Sequence, residues 1–165
     1  MATTNRPPQK RARPPITLYI VRSLPMPREQ LFNAWTVPTE LRRWFGPEEG
    51  YTLETIEIDA KKGGSYRLGM KPYREDTYYV GGRYLDVRPG QLLAFTWHWE
   101  TPRTWSREPT KVQEQPTMVS VQFKDLDDGR ATELFLQHEG FQDDKDREDH
   151  RWGWTGCLTR LGNSL

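Results

Sequence analysis

The sequence is poor in the residue types that most often carry chemistry. It has one cysteine, Cys157, so no disulfide can close within the chain and a cysteine-rich metal site is excluded. A chain of this kind fits a reducing compartment, and a cytoplasmic location is the expectation. Three histidines occur, His98, His138 and His150, and none is spaced as in HExxH or a Cys/His zinc site. No stretch is apolar for long enough to span a bilayer, and the N-terminus lacks the apolar core of a secretory signal. There is no Gly-x-Ser-x-Gly elbow and no P-loop, and "GGRYLDV" has neither the spacing nor the βαβ context of a dinucleotide fingerprint. Asp143, Asp144, Asp146, Glu148 and Asp149 cluster without EF-hand spacing, and read as the solvated start of a helix. These absences predict no metal and no cofactor.

What the sequence does have is rings. Aromatics make up 12% of 165 residues, with seven Trp, seven Tyr and six Phe, while all hydrophobic residues reach only 35%. One domain is expected at this length, and much of its core volume must be aromatic. The net charge of +1 conceals an asymmetry. Residues 1–15 carry Arg6, Lys10, Arg11 and Arg13 and no acid; without these four cations, 20 basic residues face 23 acidic ones. The basic character therefore lies in a Pro-rich tail whose composition predicts disorder. A nucleic-acid arm and a solubilising leader both fit such a tail. The leader is favoured because no basic face backs the arm, so no nucleic-acid partner is expected.

Periodicity organises residues 16–165 as one domain. In "ITLYIVRSLP", Ile16, Leu18 and Ile20 alternate as in a half-buried strand, with Arg22 on the same face. "MPREQLFNAWT" reads as a short helix with Leu31, Phe32 and Trp35 apolar. A second begins near Thr39, a plausible N-cap, and ends at Gly46–Pro47. Period-two segments follow: "YTLETIEID", "SYRLGMKP", "TYYVGGRYLDV", "QLLAFTWHWE", "TMVSVQFKDL" and "ATELFLQHEGF", the last two joined by the turn signal "DDG". Gly81–Gly82 in mid-strand predicts a bulge or a close approach by another group. About six or seven strands with short links predict an antiparallel meander. One link, residues 101–116, is long, carries Trp105, and reads equally as a lid or as a disordered segment. The chain then closes in a helix. At 100° per residue, His150, Trp154, Cys157, Leu158, Leu161 and Leu165 share one face. Trp152 lies about 200° from Trp154, so the two cannot do the same job; Trp152 is a candidate contact for the long loop or an interface anchor.

Strand, two short helices, antiparallel meander and long terminal helix is an order that resembles the START-like helix-grip fold (Bet v 1-like, α+β). In that fold a curved sheet wraps the last helix. The motifs narrow the resemblance to small bacterial relatives of the activator of the heat shock protein 90 ATPase, within the SRPBCC group. An aromatic pair before Gly-Pro occurs as Trp44, Phe45, Gly46, Pro47. Asp59 precedes Gly63–Gly64, and Gly82, Tyr84, Pro89, Leu92, Thr96 and Trp97 match a strand pair. Thr132, Leu134, Leu136, His138, Gly140 and Phe141 match a later strand; Gly153, Trp154, Leu158, Leu161 and Leu165 match the closing helix. The resemblance implies a cavity between sheet and helix. It also brings in a chaperone partner, although the eukaryotic namesake uses a second, chaperone-binding domain for which this single domain leaves no room.

Trp44, Phe45, Tyr66, Met70, Tyr84, Trp97, Trp99, His138, Phe141, Trp154 and Leu158 are the residues expected around that cavity. A small hydrophobic or aromatic ligand is the preferred reading, since rings with a few polar ends suit a flat apolar molecule. A protein-interaction or stress-response module is the alternative. A cavity enzyme, with His138 as acid–base group and Tyr66 or Tyr84 assisting, is a second alternative. Against each stands the plain reading that the rings only fill a core, that His138 is a satisfied core histidine and that Cys157 is inert. The chain is expected to be a monomer or homodimer, with no membrane partner.

Overall fold

A hydrophobic pattern with period two over most of the chain demands that one side of each strand be buried, and here the sheet packs that side against helices. The computed structural model describes residues 13–100, 113 and 115–165. Strand β1 (Ile16–Leu24) leads to helices α1 (Arg28–Thr36) and α2 (Pro38–Leu41). Strands β2 (Thr52–Ile58), β3 (Ser65–Lys71), β4 (Tyr78–Arg88) and β5 (Leu92–Trp99) follow. After them come β6 (Thr117–Leu126), β7 (Ala131–Phe141) and α3 (Asp144–Asn163). The sheet order is β1-β7-β6-β5-β4-β3-β2, with every pair antiparallel. This is the helix-grip arrangement, with seven strands. The backbone of α3 runs beside β1, an edge strand of the sheet.

Local sequence explains most boundaries. Alternation is strictest in β5, where Leu93, Phe95, Trp97 and Trp99 are buried, and in β7, where Thr132, Leu134, Leu136 and His138 are. The "DDG" turn joins β6 to β7 with Asp127, Asp128 and Gly129 all at positive φ; Asp and Gly tolerate that region best. Asp143 caps α3, its side chain accepting from the Asp146 amide at 2.7 Å, with Asp144 and Asp146 in the first turn.

Several expectations change. Thr39 does not cap the second helix: Val37 is the cap and Pro38 takes the first helical position, where its missing N–H is harmless. That helix lasts four residues, and Trp44–Phe45 follow it in a turn. The register shift of β4 lies between Tyr84 and Asp86, not at the glycines. Gly81 and Gly82 instead permit close approach: a Cβ on Gly81 would stand 2.8 Å from the Tyr66 carbonyl oxygen, and one on Gly82 would overlap that of Thr96. Arg22 is half-buried. Leu165 lies beyond α3 and is 50% exposed, so it does not extend the buried stripe. Trp154 is 3% exposed and Trp152 45%, as their angular separation requires. Of the tail, residues 1–15, only 13–15 are described, and Trp105 lies outside the described residues.

Candidate functional site

The inner faces of β3, β4 and β5 meet α3 and the 44–47 turn in one continuous ring cluster. Trp97 is its centre: its ring lies 5.1 Å from Trp154, 5.4 Å from Trp99, 5.8 Å from His138 and 6.4 Å from Phe45. Trp35, on α1, stacks on Trp154 at 5.8 Å and meets Trp44 edge-on at 4.9 Å. Tyr66, Tyr84 and Phe95 form a second triangle, 5.4–6.1 Å between centroids. Offset and edge-to-face contacts of this kind add to what burial alone contributes.

Two hydrogen bonds from indole to imidazole tie helix to sheet. The Trp154 N–H donates to His138 Nδ1 at 3.0 Å, so the other nitrogen carries the ring proton. His138 Nε2 then donates to Thr117 Oγ1 at 2.6 Å, and that hydroxyl donates to the Trp97 carbonyl at 3.2 Å. Two residues along β5 from Trp97, Trp99 donates to His150 Nε2 at 3.0 Å, while His150 Nδ1 bonds the Asp146 carbonyl at 2.7 Å. Phe141 packs on both imidazoles, at 4.4 and 4.8 Å. His138 is fully buried. A general base needs a lone pair facing its substrate, and both His138 nitrogens are engaged with protein groups. The geometry makes it a strut.

Among the described residues, side chains take up most of the space between sheet and helix. Two voids are lined by described residues there, each about 20 Å³. That is room for about one water, against roughly 300–1,000 Å³ for an ordinary ligand pocket. Of the residues expected around the cavity, Phe45, Tyr66, Tyr84 and Trp97 line the first void; Phe45, Met70, Trp97 and Trp154 line the second. Trp44, Trp99, His138, Phe141 and Leu158 are buried nearby but line neither. Sequence reasoning missed Trp35, Phe95 and His150 on these walls. The signal for Phe95 is present in the sequence, since it alternates with Leu93 and Trp97; for Trp35 the sequence offers only its place on an apolar helix face.

Burial dominates the electrostatics of the ring cluster. Burial pushes the Tyr66 phenol well above its ordinary value, with Tyr84 adding to the effect, and raises Tyr84 likewise, with Asp59 adding. Burial pushes the Cys157 thiol up to about 12, so no thiolate nucleophile forms there near neutral pH. Charge pairing is an outer-face feature: Arg67 binds Glu100 bidentately at 2.8 and 2.9 Å and lies 4.0 Å over the Tyr79 ring. That hydrogen bond holds the Glu100 carboxyl below the usual range. Among the described residues no group of three His, Cys, Asp or Glu side chains could hold a metal ion, and no helix is long and apolar enough to cross a membrane.

The family model described as "Activator of Hsp90 ATPase homolog 1-like protein" matches residues 25–165. The chain belongs to this family. Solved structures agree on the fold. A protein from Chromobacterium violaceum is 24% identical, with a TM-score of 0.75 over 92% of this chain and 98% of its own. An AHSA1 protein from Silicibacter pomeroyi is also 24% identical, with a TM-score of 0.75 over 91% and 97%. An Hsp90 activator from Plasmodium falciparum is 21% identical, with a TM-score of 0.64 over 88% and 92%. No curated protein matches this sequence.

Proposed function

We propose that this domain is a non-enzymatic binder of a small, flat, apolar molecule, received inside the ring cluster beneath α3. The observation that supports this best is that the two voids share Phe45 and Trp97 as walls. Phe45 follows a four-residue helix and precedes Gly46–Pro47, so it sits on a turn rather than on a strand. Rotation of its side chain joins the voids without breaking a strand, and the ligand takes the place of that ring. Native mass spectrometry of freshly purified protein tests the reading. The expected result is a retained small molecule, lost on denaturation and lost also from Phe45→Trp, whose larger ring fills the shared wall. Apo mass alone, together with no change in tryptophan fluorescence on titration with millimolar 1-naphthol, would sink it.

A second reading has its own support. Tyr19 and Val21 are more than half exposed on the outer face of β1, where Tyr19 meets Phe135 at 6.0 Å. An apolar patch there suits a protein partner, and the family description makes an Hsp90-type chaperone the one to try. Titration with such a chaperone, wild type against Tyr19→Ser/Val21→Ser, separates this reading from the first. Binding that the double variant leaves intact counts against it, as does no binding at high micromolar concentration.

A further inference from the structure

Five tryptophans build the ring cluster, and their N–H groups fall into two sets. Trp44 donates to the Ala34 carbonyl at 2.9 Å, Trp99 to His150 and Trp154 to His138. The N–H groups of Trp35 and Trp97 are buried and meet no hydrogen-bond partner among the described residues. Each of these two residues is 4% exposed. A buried donor left unpaired keeps the full cost of its lost hydration, and folded proteins hold few of them. Both orphan donors belong to walls of the same void.

The rest of that wall says what they are suited to meet. Its ten residues carry no carboxylate, ammonium or guanidinium group. Its other polar side-chain atoms are two phenol oxygens, and the Tyr66 proton already goes to the Thr96 carbonyl at 2.5 Å. An ion brought here would lose its hydration with no opposite charge to replace it. A neutral molecule with a bare acceptor would instead satisfy donors that the fold leaves unmatched. A hydroxyl serves less well, because it brings in another proton needing a partner.

Resting on the ligand reading above, we infer that the molecule bound in this cluster is neutral and carries a ketone- or quinone-type carbonyl on a flat apolar frame. Trp35 and Trp97 are the donors that select it. The arrangement fixes ligand class rather than affinity: rings accept the frame, and the two N–H groups discriminate for the oxygen.

The test compares 1-indanone with indane, the same bicyclic frame with and without a carbonyl oxygen. Titrations of the full chain are followed by the indole N–H resonances in proton–nitrogen NMR spectra. The expected result is roughly tenfold tighter binding of 1-indanone, the worth of about one hydrogen bond, with downfield movement of the Trp35 or Trp97 indole proton. Trp35→Phe and Trp97→Phe keep an apolar ring and remove a donor; one or both are expected to erase the preference while still binding indane. Equal binding of the two compounds by wild type overturns the acceptor inference and leaves the ligand reading standing. A preference that survives in both variants, or unmoved Trp35 and Trp97 resonances, also overturns it. Binding of neither compound overturns both.

Discussion

Replacing Gly156 by alanine should destabilise the protein, although the same change in an ordinary helix stabilises it. Gly156 lies within α3, where alanine is worth about 1 kcal/mol more than glycine. Here a Cβ would overlap the Pro47 carbonyl oxygen and stand 2.6 Å from the Pro47 carbonyl carbon and 3.0 Å from its Cα. These are backbone atoms, so no rotamer relieves the clash. Carbon atoms pack at about 3.5–4.0 Å, and the helix or the 46–47 turn must therefore retreat by about 1 Å. Pro47 and Cys157 line the second void, so the displacement reaches the ring cluster. Overpacking costs about 1–3 kcal/mol, and backbone overlap puts this case at the upper end. Setting the helix gain against it leaves a loss of about 2 kcal/mol. At about 2–4 °C per kcal/mol for a domain of this size, the melting temperature falls by about 4–8 °C. Gly162 is the internal control: its nearest outside atom is Leu24 Cδ2, 3.6 Å from the built Cβ, an ordinary contact. Gly162→Ala should then hold or raise the melting temperature, by up to about 4 °C. Thermal melts by far-UV circular dichroism read both variants. A Gly156→Ala protein as stable as wild type would refute the claim that α3 is clamped against Pro47.

Thr117→Val keeps the shape of a buried side chain and removes the hydroxyl that links His138 to the Trp97 carbonyl. The loss should be about 1–3 kcal/mol in urea unfolding; an unchanged midpoint would show that this link contributes nothing. Stability should also decline at high pH. The folded state holds the Cys157 thiol at about 12 and the Tyr51 phenol, raised mainly by burial, at about 12, against ordinary values of 9.0 and 10.0. Their folded values lie above the unfolded ones, so this contribution is complete below about pH 9 and is lost as pH rises towards 12. The thiol's share is on the order of 4 kcal/mol over that window. Cys157→Ala should therefore unfold with a flatter dependence on pH between 8 and 11, and an identical slope in wild type and variant would remove the thiol from the account.

Much of the fold was legible because burial imposes simple periods. Alternation in "QLLAFTWHWE" and "ATELFLQHEGF" marked the buried faces of β5 and β7, and the helical angle separated Trp152 from Trp154. Features that depend on tertiary information were not legible. Thr39 looked like a cap because the cap preference is local, yet Pro38 fixes the start two residues earlier, with Val37 as the cap. Leu165 fitted the stripe by angle, but the helix ends before it. The volume left for a cavity was not legible for a further reason. Periodicity gives the direction of a side chain and not the residual volume between facing ones, and the rings called as walls are also the filling.

That distinction bears on how tryptophan should be read. An indole contributes apolar area wherever it is buried, so its ring alone does not separate a core residue from a binding one. Its N–H does, because a buried donor must be matched or remain a cost. Trp44, Trp99 and Trp154 are matched by groups belonging to the fold, and two of them spend the bond on fastening α3 to the sheet. Trp35 and Trp97 are unmatched and border a common void. Sequence could not make this division, since each acceptor lies on a different element or at a distance set by packing: Ala34 ten residues from Trp44, His138 sixteen from Trp154, His150 fifty-one from Trp99. If Trp35 and Trp97 were core residues alone, Phe at either position would relieve an unpaired donor, and the exchange would be limited to the lost ring volume. A Trp35→Phe or Trp97→Phe protein that gains stability while losing its preference for a carbonyl ligand would show function held at the expense of stability, at the two positions where the hydrogen-bond pattern places it.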